Sequence, residues 1–215
     1  MGYPDYKRDL LDADADVNYI LDRYFHSGES HVFVGAAPDE EAKLKTTVAR
    51  ALYGGFRIRV HPFQLVTCGS AHLGFSPVPD KLGKPFNSET SDIDISVVSS
   101  EIFDLWWAEL QAGGLDEATR SMVARDLFFG FINPATVHDV SEHGSAWWRL
   151  FGELRTDRAH GIRGRLYRNF WSMQSYHRLA VIWGRQRLQT EAAGQFGQQP
   201  ATPYPEPAPG AGSGR

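Results

Sequence analysis

The chain has 215 residues, a net charge of −4 at pH 7 and a single cysteine. This length is enough for one α/β domain with a sizeable core and a few appended helices, and the negative charge argues against a general nucleic-acid-binding protein, which usually carries a basic excess. One cysteine excludes an internal disulfide framework, and because the sequence shows no signal peptide and no apolar stretch of spanning length, we expect a cytoplasmic protein with no membrane partner.

The N-terminal part, residues 1–55, is predicted to be a helical segment packed on the core. Apolar residues recur at a helical period over residues 5–26, and the acidic run at 12–16 is typical of a solvated face rather than a metal site. A second helix is predicted over residues 38–53, because proline suits its first turn and Gly54-Gly55 ends it. The residues just after this helix, 56–60, could extend toward the first strand of the core.

An apolar run at residues 63–68 predicts a strand that stops at Gly69-Ser70. Ser70 is predicted to lie near the N-cap of a short helix, whose N-terminus presents free backbone N–H groups to an anion. Glycine lets a phosphate approach the backbone closely. The pair therefore indicates either a phosphate site or an ordinary turn. Cys68 is predicted to be a small buried hydrophobe, and His72 either a phosphate contact or base, or a polar surface residue.

Residues 76–90 contain prolines, glycine, Lys81 and Lys84. The composition predicts an ordered loop over the preceding turn, with the lysines available to a phosphate or an acceptor. An ordinary surface loop with solvated lysines fits the composition equally well.

The clearest strand pattern begins at Asp92. Side chains alternate between the two faces of a strand, so Asp92, Asp94 and Ser96 share one face while Ile93, Ile95 and Val97 share the other. The two carboxylates then project about 7 Å apart, and like charges at this separation disfavour joint ionisation unless a cation lies between them. A divalent ion such as Mg²⁺ or Mn²⁺ suits two carboxylates completed by water and phosphate oxygens. The alternative is a solvent-exposed sheet face.

A strand ending in Gly69-Ser70, a helical turn and a strand with Ser91-Asp92-Ile93-Asp94 together resemble the core signature of the DNA-polymerase-β-like nucleotidyltransferase superfamily. The resemblance covers roughly residues 60 to 100. It implies an α+β fold with a small mixed β-sheet flanked by helices, here with helical N- and C-terminal additions.

The resemblance also implies an activity. A nucleoside monophosphate would pass from an NTP to an acceptor hydroxyl of an RNA, a protein or a small molecule, with Gly69 and Ser70 on the triphosphate and two Mg²⁺ ions on the catalytic Asp92 and Asp94. Small members of the superfamily often look like parts of bacterial toxin–antitoxin or phage-defence systems, which would add a protein partner.

Three further helices are predicted between the Asp92 strand and the next strand. They cover residues 99–112, 116–129 and 137–154, and each carries apolar residues at a helical period. Trp147 and Trp148 are adjacent and cannot both face one core, so one of them is either a partner or base-stacking surface or an exposed packing residue.

Residues 161–168 alternate again and predict a later strand. Its polar face carries Arg163 and Arg165 where the resembled superfamily has a third carboxylate. These arginines either bind triphosphate oxygens through forked hydrogen bonds or show that the two-metal site is incomplete. The nearest acids, Asp139, Glu142 and Asp157, lie outside any alternating strand, and the third role is assigned to none of them.

A final helix is predicted over residues 169–188, with an apolar side given by Trp171, Tyr176, Leu179, Ile182 and Trp183. The Pro- and Gly-rich stretch at 191–215 is predicted to be disordered. We therefore expect a nucleotidyltransferase-like core at 56–168 that carries a helical insertion, followed by a C-terminal helix at 169–190. Three functions stay open: a metal-dependent nucleotidyltransferase, a degenerate module that binds a nucleotide or a partner, and a plain α/β interaction protein.

Overall fold

Four short strands form a mixed sheet in the computed structural model, which describes residues 2–194. The strands are β1 (Leu65–Cys68), β2 (Asp92–Val98), β3 (Phe131–Ile132) and β4 (Gly161–Tyr167). Their order across the sheet is β1-β2-β4-β3, with β2 and β4 parallel and the two edge strands antiparallel to their neighbours. The parallel pair requires a long crossover connection, and the helices between β2 and β4 supply it.

Helices surround this sheet. The α-helices are α1 (Tyr3–Leu11), α2 (Val17–Ile20), α3 (Glu40–Phe56), α4 (Gly69–Leu73), α5 (Ser100–Ala112), α6 (Glu117–Phe128), α7 (Pro134–Val137), α8 (Glu142–Glu153) and α9 (Phe170–Ala192). A π-helical turn, Leu21–His26, continues α2, and three 3₁₀ turns lie at His31–Phe33, Pro62–Gln64 and Pro79–Lys81. None of the helices within residues 2–194 is both long and apolar enough to cross a membrane.

The two faces of the sheet are covered differently. One face is buried by helices α3, α5 and α8 in the main core cluster, which includes Ile93, Ile95, Val97, Ile162, Leu166, Val48, Leu52, Trp106 and Trp147. On the opposite face, α9 covers the part where Val98, Phe131, Tyr167 and Met173 form a smaller cluster. The acidic end of that second face, at the start of β2, holds the candidate site.

The strand predictions at residues 92–97 and 161–168 are confirmed, and so are the helices predicted after Ser99 and Asp116. Ser99 caps α5 through a hydrogen bond from the Ile102 N–H, and the Asp116 carboxylate caps α6. The coarse fold class is therefore correct: the chain is α+β, with a small mixed sheet flanked by helices.

The N-terminal helices differ from the prediction. The helix predicted over 5–26 is broken at the acidic run, because the Asp16 carboxylate accepts the Asn18 N–H at 2.6 Å and starts a new helix there. The helix predicted to stop at Gly54-Gly55 continues to Phe56, whose buried ring packs edge-on against Trp147. This packing outweighs the poor helix propensity of glycine. Residues 57–60 form no strand, and β1 begins at Leu65.

The C-terminal half carries two further corrections. The helix predicted over 137–154 begins only at Glu142, because Ser141 caps α8 by accepting the Gly144 N–H at 2.9 Å, and Val137 ends the separate helix α7. In α9 the predicted apolar side is correct only in part: Trp171 is 71% exposed, whereas Tyr176, Leu179, Ile182 and Trp183 are half-buried. The side that α9 buries contains Ser172, Met173, His177, Val181, Gly184 and Leu188. The disorder predicted for 191–215 concerns residues that, from 195 onward, lie outside the described part of the chain.

Candidate functional site

Gly69 brings the end of β1 against the acidic strand. Its φ is +63°, a left-handed conformation that glycine adopts without steric cost. A Cβ on Gly69 would lie 3.0 Å from Oδ2 of Asp94, so the backbone of the turn lies directly beside that carboxylate. The sheet register agrees, because Cys68 pairs with Asp94 across β1 and β2.

Ser70 lies one residue inside α4 rather than at its N-cap, which is Cys68. The Ser70 side chain is half-buried, and its carbonyl accepts the Gly74 N–H at 2.8 Å, which closes the short helix. Cys68 is also half-buried; its thiol donates to the Asp94 carbonyl at 3.4 Å, and burial raises the pKa of the thiol to about 12. The thiol is therefore a packing group at neutral pH.

The two carboxylate oxygens of Asp92 differ in their hydrogen bonding. Arg163 Nε donates to Oδ2 of Asp92 at 3.0 Å. Oδ1 is buried and has no hydrogen-bond partner within the described residues. Gly161 stands opposite Asp92 in the parallel β2–β4 register, and a Cβ there would lie 2.8 Å from Oδ1. Buried polar atoms are nearly always paired, so this oxygen can still accept a hydrogen bond or bind a cation.

Asp94 lies on the same face, two residues further along β2. Its side chain is exposed to water, yet protein atoms crowd its surroundings, and this desolvation raises the pKa of its carboxyl to about 6. The positive charge of Arg165 lowers the pKa, the negative charge of Asp92 raises it, and Arg163 lowers it. Asp94 forms no ion pair within the described residues. A cation beside it would restore the ionised form.

The two arginines of β4 share this face but take different positions. Arg163 pairs with Asp94 in the register, and its guanidinium carbon lies 4.9 Å from the ring centroid of Trp148. Arg165 pairs with Ser96 and points under α9, with its guanidinium carbon 4.6 Å from the ring centroid of Tyr176. Arg163 is therefore at the open end of the face, and Arg165 lies deeper.

Trp147 and Trp148 point in different directions, as adjacent residues of a helix do. Trp147 is buried in the core and donates its indole N–H to the Gly164 carbonyl at 3.0 Å. Trp148 is exposed, and besides Arg163 it stacks on His138 at 4.7 Å between ring centroids. The exposed tryptophan thus lies between Arg163, which pairs with Asp92, and His138.

A polar network that the sequence did not predict supports the Gly-Ser turn from the other side. His72 Nδ1 lies in hydrogen-bond contact with the Ser30 hydroxyl at 3.1 Å, and that hydroxyl donates to Glu41 at 3.1 Å. The same Glu41 oxygen accepts from Thr67 at 2.8 Å and forms an ion pair with Lys45 at 2.8 Å. Burial lowers the pKa of His72. The network joins α3, β1 and α4, and no sequence signal links residues so far apart in the chain.

The loop at 76–90 is ordered by a bridge between Phe75 and Pro85. Lys81 and Lys84 are exposed. Phe86 and Ser88 from this stretch line an open cavity of about 460 Å³, together with His31, Val32, Glu40, Asp157 and Arg158. Arg158 and Glu40 form an ion pair across it. The cavity is therefore polar, lined by the Glu40–Arg158 ion pair and by the exposed Asp157.

The third carboxylate is not found in the described part of the chain, where no group of three or more His, Cys, Asp or Glu side chains could hold a metal ion. Asp139, Glu142 and Asp157 are all exposed, and Asp139 pairs with His138 at 3.2 Å. The buried acid Asp126 was missed by the sequence analysis. Burial raises its pKa to about 6, against the lowering effects of Arg125 and Arg165, but it sits on α6 and forms no such group.

These donors fit one divalent cation. Among residues 2–194, Oδ1 of Asp92 has no hydrogen-bond partner and the Asp94 carboxylate forms no ion pair, and both acids lie on one face beside a turn where glycine leaves room. Two carboxylates with water and phosphate oxygens form a suitable Mg²⁺ shell. A second ion would need a further carboxylate at this face, where β4 presents Arg163.

A scan against protein-family models, a search of curated proteins and a search of solved structures found no match. The functional argument therefore depends on the geometry of the site.

Proposed function

We propose that the chain is a metal-dependent nucleotidyltransferase that binds an NTP at the Gly69-Ser70 turn and transfers a nucleoside monophosphate to an acceptor hydroxyl. One observation carries the proposal: the Gly69 backbone lies against Asp94 on the sheet face that also presents Asp92. A close backbone approach beside two carboxylates is the arrangement that a metal-bound triphosphate requires.

In this proposal Asp92 and Asp94 hold Mg²⁺. The ion would neutralise phosphate charge and polarise the phosphate undergoing attack. Gly69 and Ser70 leave space for the triphosphate, and Arg163, at the open end of the face, donates to its oxygens, while the deeper Arg165 adds positive charge. The acceptor oxygen forms a bond to the α-phosphorus, the bond to the pyrophosphate oxygen breaks, and the hydroxyl proton leaves to a solvent base.

Calorimetric titration of the four NTPs, with and without Mg²⁺ or Mn²⁺, tests the proposal. The wild type should bind at least one NTP only in the presence of metal. Asp92→Asn/Asp94→Asn should keep the fold, because the substitution relieves the repulsion between the two acids and breaks only an ion pair with the half-exposed Arg163, and it should lose metal-dependent binding. NTP binding that persists without metal and without the two aspartates would refute this site.

A second candidate function is nucleotide binding without turnover. The ion pair between Arg163 and Asp92 favours it, together with the arginine in the register position opposite Asp94. Such a module would serve a partner protein, as in a toxin–antitoxin or phage-defence system. Incubation with α-labelled NTP and candidate RNA and protein acceptors separates the two: label transfer supports the enzyme, and metal-dependent binding with no pyrophosphate release supports the module.

A further inference from the structure

Arg163 donates one hydrogen bond to Asp92, the first of the two acids on β2. Its Nε lies 3.0 Å from Oδ2 of Asp92, and the two side chains are 50% and 25% exposed. The strongest arginine–carboxylate pairs use two parallel hydrogen bonds, whereas a singly bonded pair that water reaches contributes little stability. This ion pair can therefore exchange partners at small cost.

Trp148 provides the arginine with a second contact that does not depend on Asp92. The guanidinium carbon lies 4.9 Å from the indole centroid, and His138 packs on the same tryptophan. A cation over an aromatic face is attracted by the ring quadrupole and keeps its N–H groups free in the guanidinium plane. Arg163 can thus stay on Trp148 while its N–H groups turn from a carboxylate to a phosphate.

A divalent ion at Asp92 and the guanidinium of Arg163 compete for one carboxylate. Oδ2 accepts the hydrogen bond from Arg163, Oδ1 is buried with no partner in the described part of the chain, and two cations within a few ångströms repel each other. We infer that Arg163 is an exchangeable internal cation: it neutralises Asp92 in the free protein and moves to the triphosphate when a metal–nucleotide complex enters. This inference rests on the proposed function, because the nucleotide is what draws the arginine away.

The exchange makes metal and nucleotide binding cooperative. Metal alone must displace Arg163 and binds weakly, whereas a triphosphate takes over the arginine and leaves Asp92 to the metal. By linkage, each ligand raises the affinity for the other by the same factor. Removing the guanidinium should therefore have opposite effects on the two ligands: tighter binding of metal alone and weaker binding of the metal–nucleotide complex. A merely structural arginine would weaken both.

The experiment is an electron paramagnetic resonance titration with Mn²⁺ alone. Arg163→Gln should bind Mn²⁺ roughly tenfold more tightly than the wild type, and Arg163→Lys, which keeps the charge, should stay within about threefold of the wild type. Arg168→Gln is the matched control. Arg168 forms an ion pair with Asp104 at 3.2 Å and lies over Phe103 at 5.8 Å, and it should show wild-type binding.

The inference is overturned if Arg163→Gln binds Mn²⁺ no more tightly than the wild type, if it binds none, or if the Gln and Lys variants gain equally. Trp148→Leu gives a second variant that leaves Arg163 in place: because the guanidinium still neutralises Asp92, Mn²⁺ binding should stay within about threefold of the wild type. Calorimetry of NTPs at saturating metal separates the two proposals. If the wild type binds no NTP, the proposed function fails, while tighter Mn²⁺ binding by Arg163→Gln still establishes the competition at Asp92.

Discussion

Gly69 is the residue at which backbone conformation and the candidate site meet. Gly69→Ala places a Cβ at φ +63° and 3.0 Å from Oδ2 of Asp94. We expect a loss of about 1–2 kcal/mol in the free energy of unfolding, because an L-residue is strained in the left-handed region. We also expect weaker Mn²⁺ binding, because the carboxylate must move. Urea denaturation and a Mn²⁺ titration measure the two effects.

Gly152→Ala is the control for this substitution. Gly152 is exposed in α8, and no heavy atom of the described residues lies within 4 Å of its Cβ position. Alanine there should stabilise the protein by roughly 0.5–1 kcal/mol through helix propensity and leave Mn²⁺ binding unchanged. If Gly69→Ala binds Mn²⁺ as the wild type does, the conformation of the turn does not affect the Asp94 carboxylate, and the proposed cation site beside Gly69 is wrong.

At the residue scale, the sequence predicted which side chains share a face but not what they touch. The period of two placed Asp92 and Asp94 together, and the same alternation placed Arg163 and Arg165 on one side of β4. The ion pair at Asp92 depends on the β2–β4 register, which couples residues 71 apart in the chain. Local patterns carry no information on such a register.

At the element scale, the beginning of α8 depends on an acid from another helix. Glu109 of α5 accepts hydrogen bonds from the backbone N–H groups of Glu142 and His143, and from the Ser141 hydroxyl at 3.1 Å. The imidazole of His143 also contacts the Glu109 carboxylate. Burial alone would raise the pKa of Glu109, but the hydrogen bonds from His143 and Glu142 lower it. A carboxylate at a helix N-terminus is stabilised further by the helix dipole.

Glu109→Gln should lower the free energy of unfolding by about 1–3 kcal/mol at pH 7, the usual cost of losing hydrogen bonds to a charged group. Because the pKa of Glu109 is lower in the folded protein, its contribution is complete above the unfolded value of about 4.3 and disappears as the pH falls through the folded value. The difference between wild type and variant in urea denaturation should therefore shrink below about pH 4.

Glu117→Gln tests whether the loss of any acid at the start of a helix lowers the free energy of unfolding as much as Glu109→Gln. Glu117 stands in the first turn of α6, is 85% exposed on its side chain and pairs only loosely with Arg120 at 3.5 Å. Its substitution should change stability by less than about 0.5 kcal/mol. Equal losses for the two variants would show that Glu109 acts through the dipole alone and not through its hydrogen bonds.

Glu109 also explains why the sequence misplaced this helix. The apolar periodicity over residues 137–154 predicted one helix. The N-terminus of α8 is instead fixed by Ser141 together with Glu109, which lies 32 residues earlier in the chain. Helix α9 shows the same limit, because the side it buries contains Ser172, His177 and Gly184, which a hydrophobic pattern does not select. Elements with a clean local pattern, such as β2 and α5, were predicted correctly.

At the scale of the whole molecule, the two ends of the described chain form one helical layer. Arg185 of α9 donates to the carbonyls of Leu10 at 3.0 Å and Ala15 at 2.7 Å, which lie at and beyond the end of α1. Tyr6, Leu10, Tyr24, Phe25, Val181 and Leu188 share one apolar cluster. The sequence predicted the N-terminal segment and the last helix as separate elements, because contacts between residues about 170 positions apart leave no periodic signal.

Tyr6 tests whether this layer and the sheet fold as one unit. Tyr6 is fully buried, its ring lies 5.0 Å from that of Tyr24, and its hydroxyl has no hydrogen-bond partner within residues 2–194. Tyr6→Ala should cost about 3–5 kcal/mol by leaving a cavity. Tyr6→Phe should be neutral or stabilising by up to about 1 kcal/mol, because it removes an unpaired buried hydroxyl. Tyr53→Ala, at an exposed tyrosine of α3, should have little effect.

Two probes report on different parts of the molecule during denaturation of these variants. Far-UV circular dichroism follows all helices. Tryptophan fluorescence is measured in a Trp171→Phe/Trp183→Phe background, which removes the two tryptophans of α9, so that it reports on Trp106 and Trp147 in the main core, on the sheet face opposite the candidate site. If the layer and the sheet form one cooperative unit, Tyr6→Ala shifts both transitions to the same lower urea concentration. A shift in circular dichroism with unchanged fluorescence would mean that the layer unfolds alone. The candidate site would then keep its acidic strand while losing α9, which covers the rest of its face.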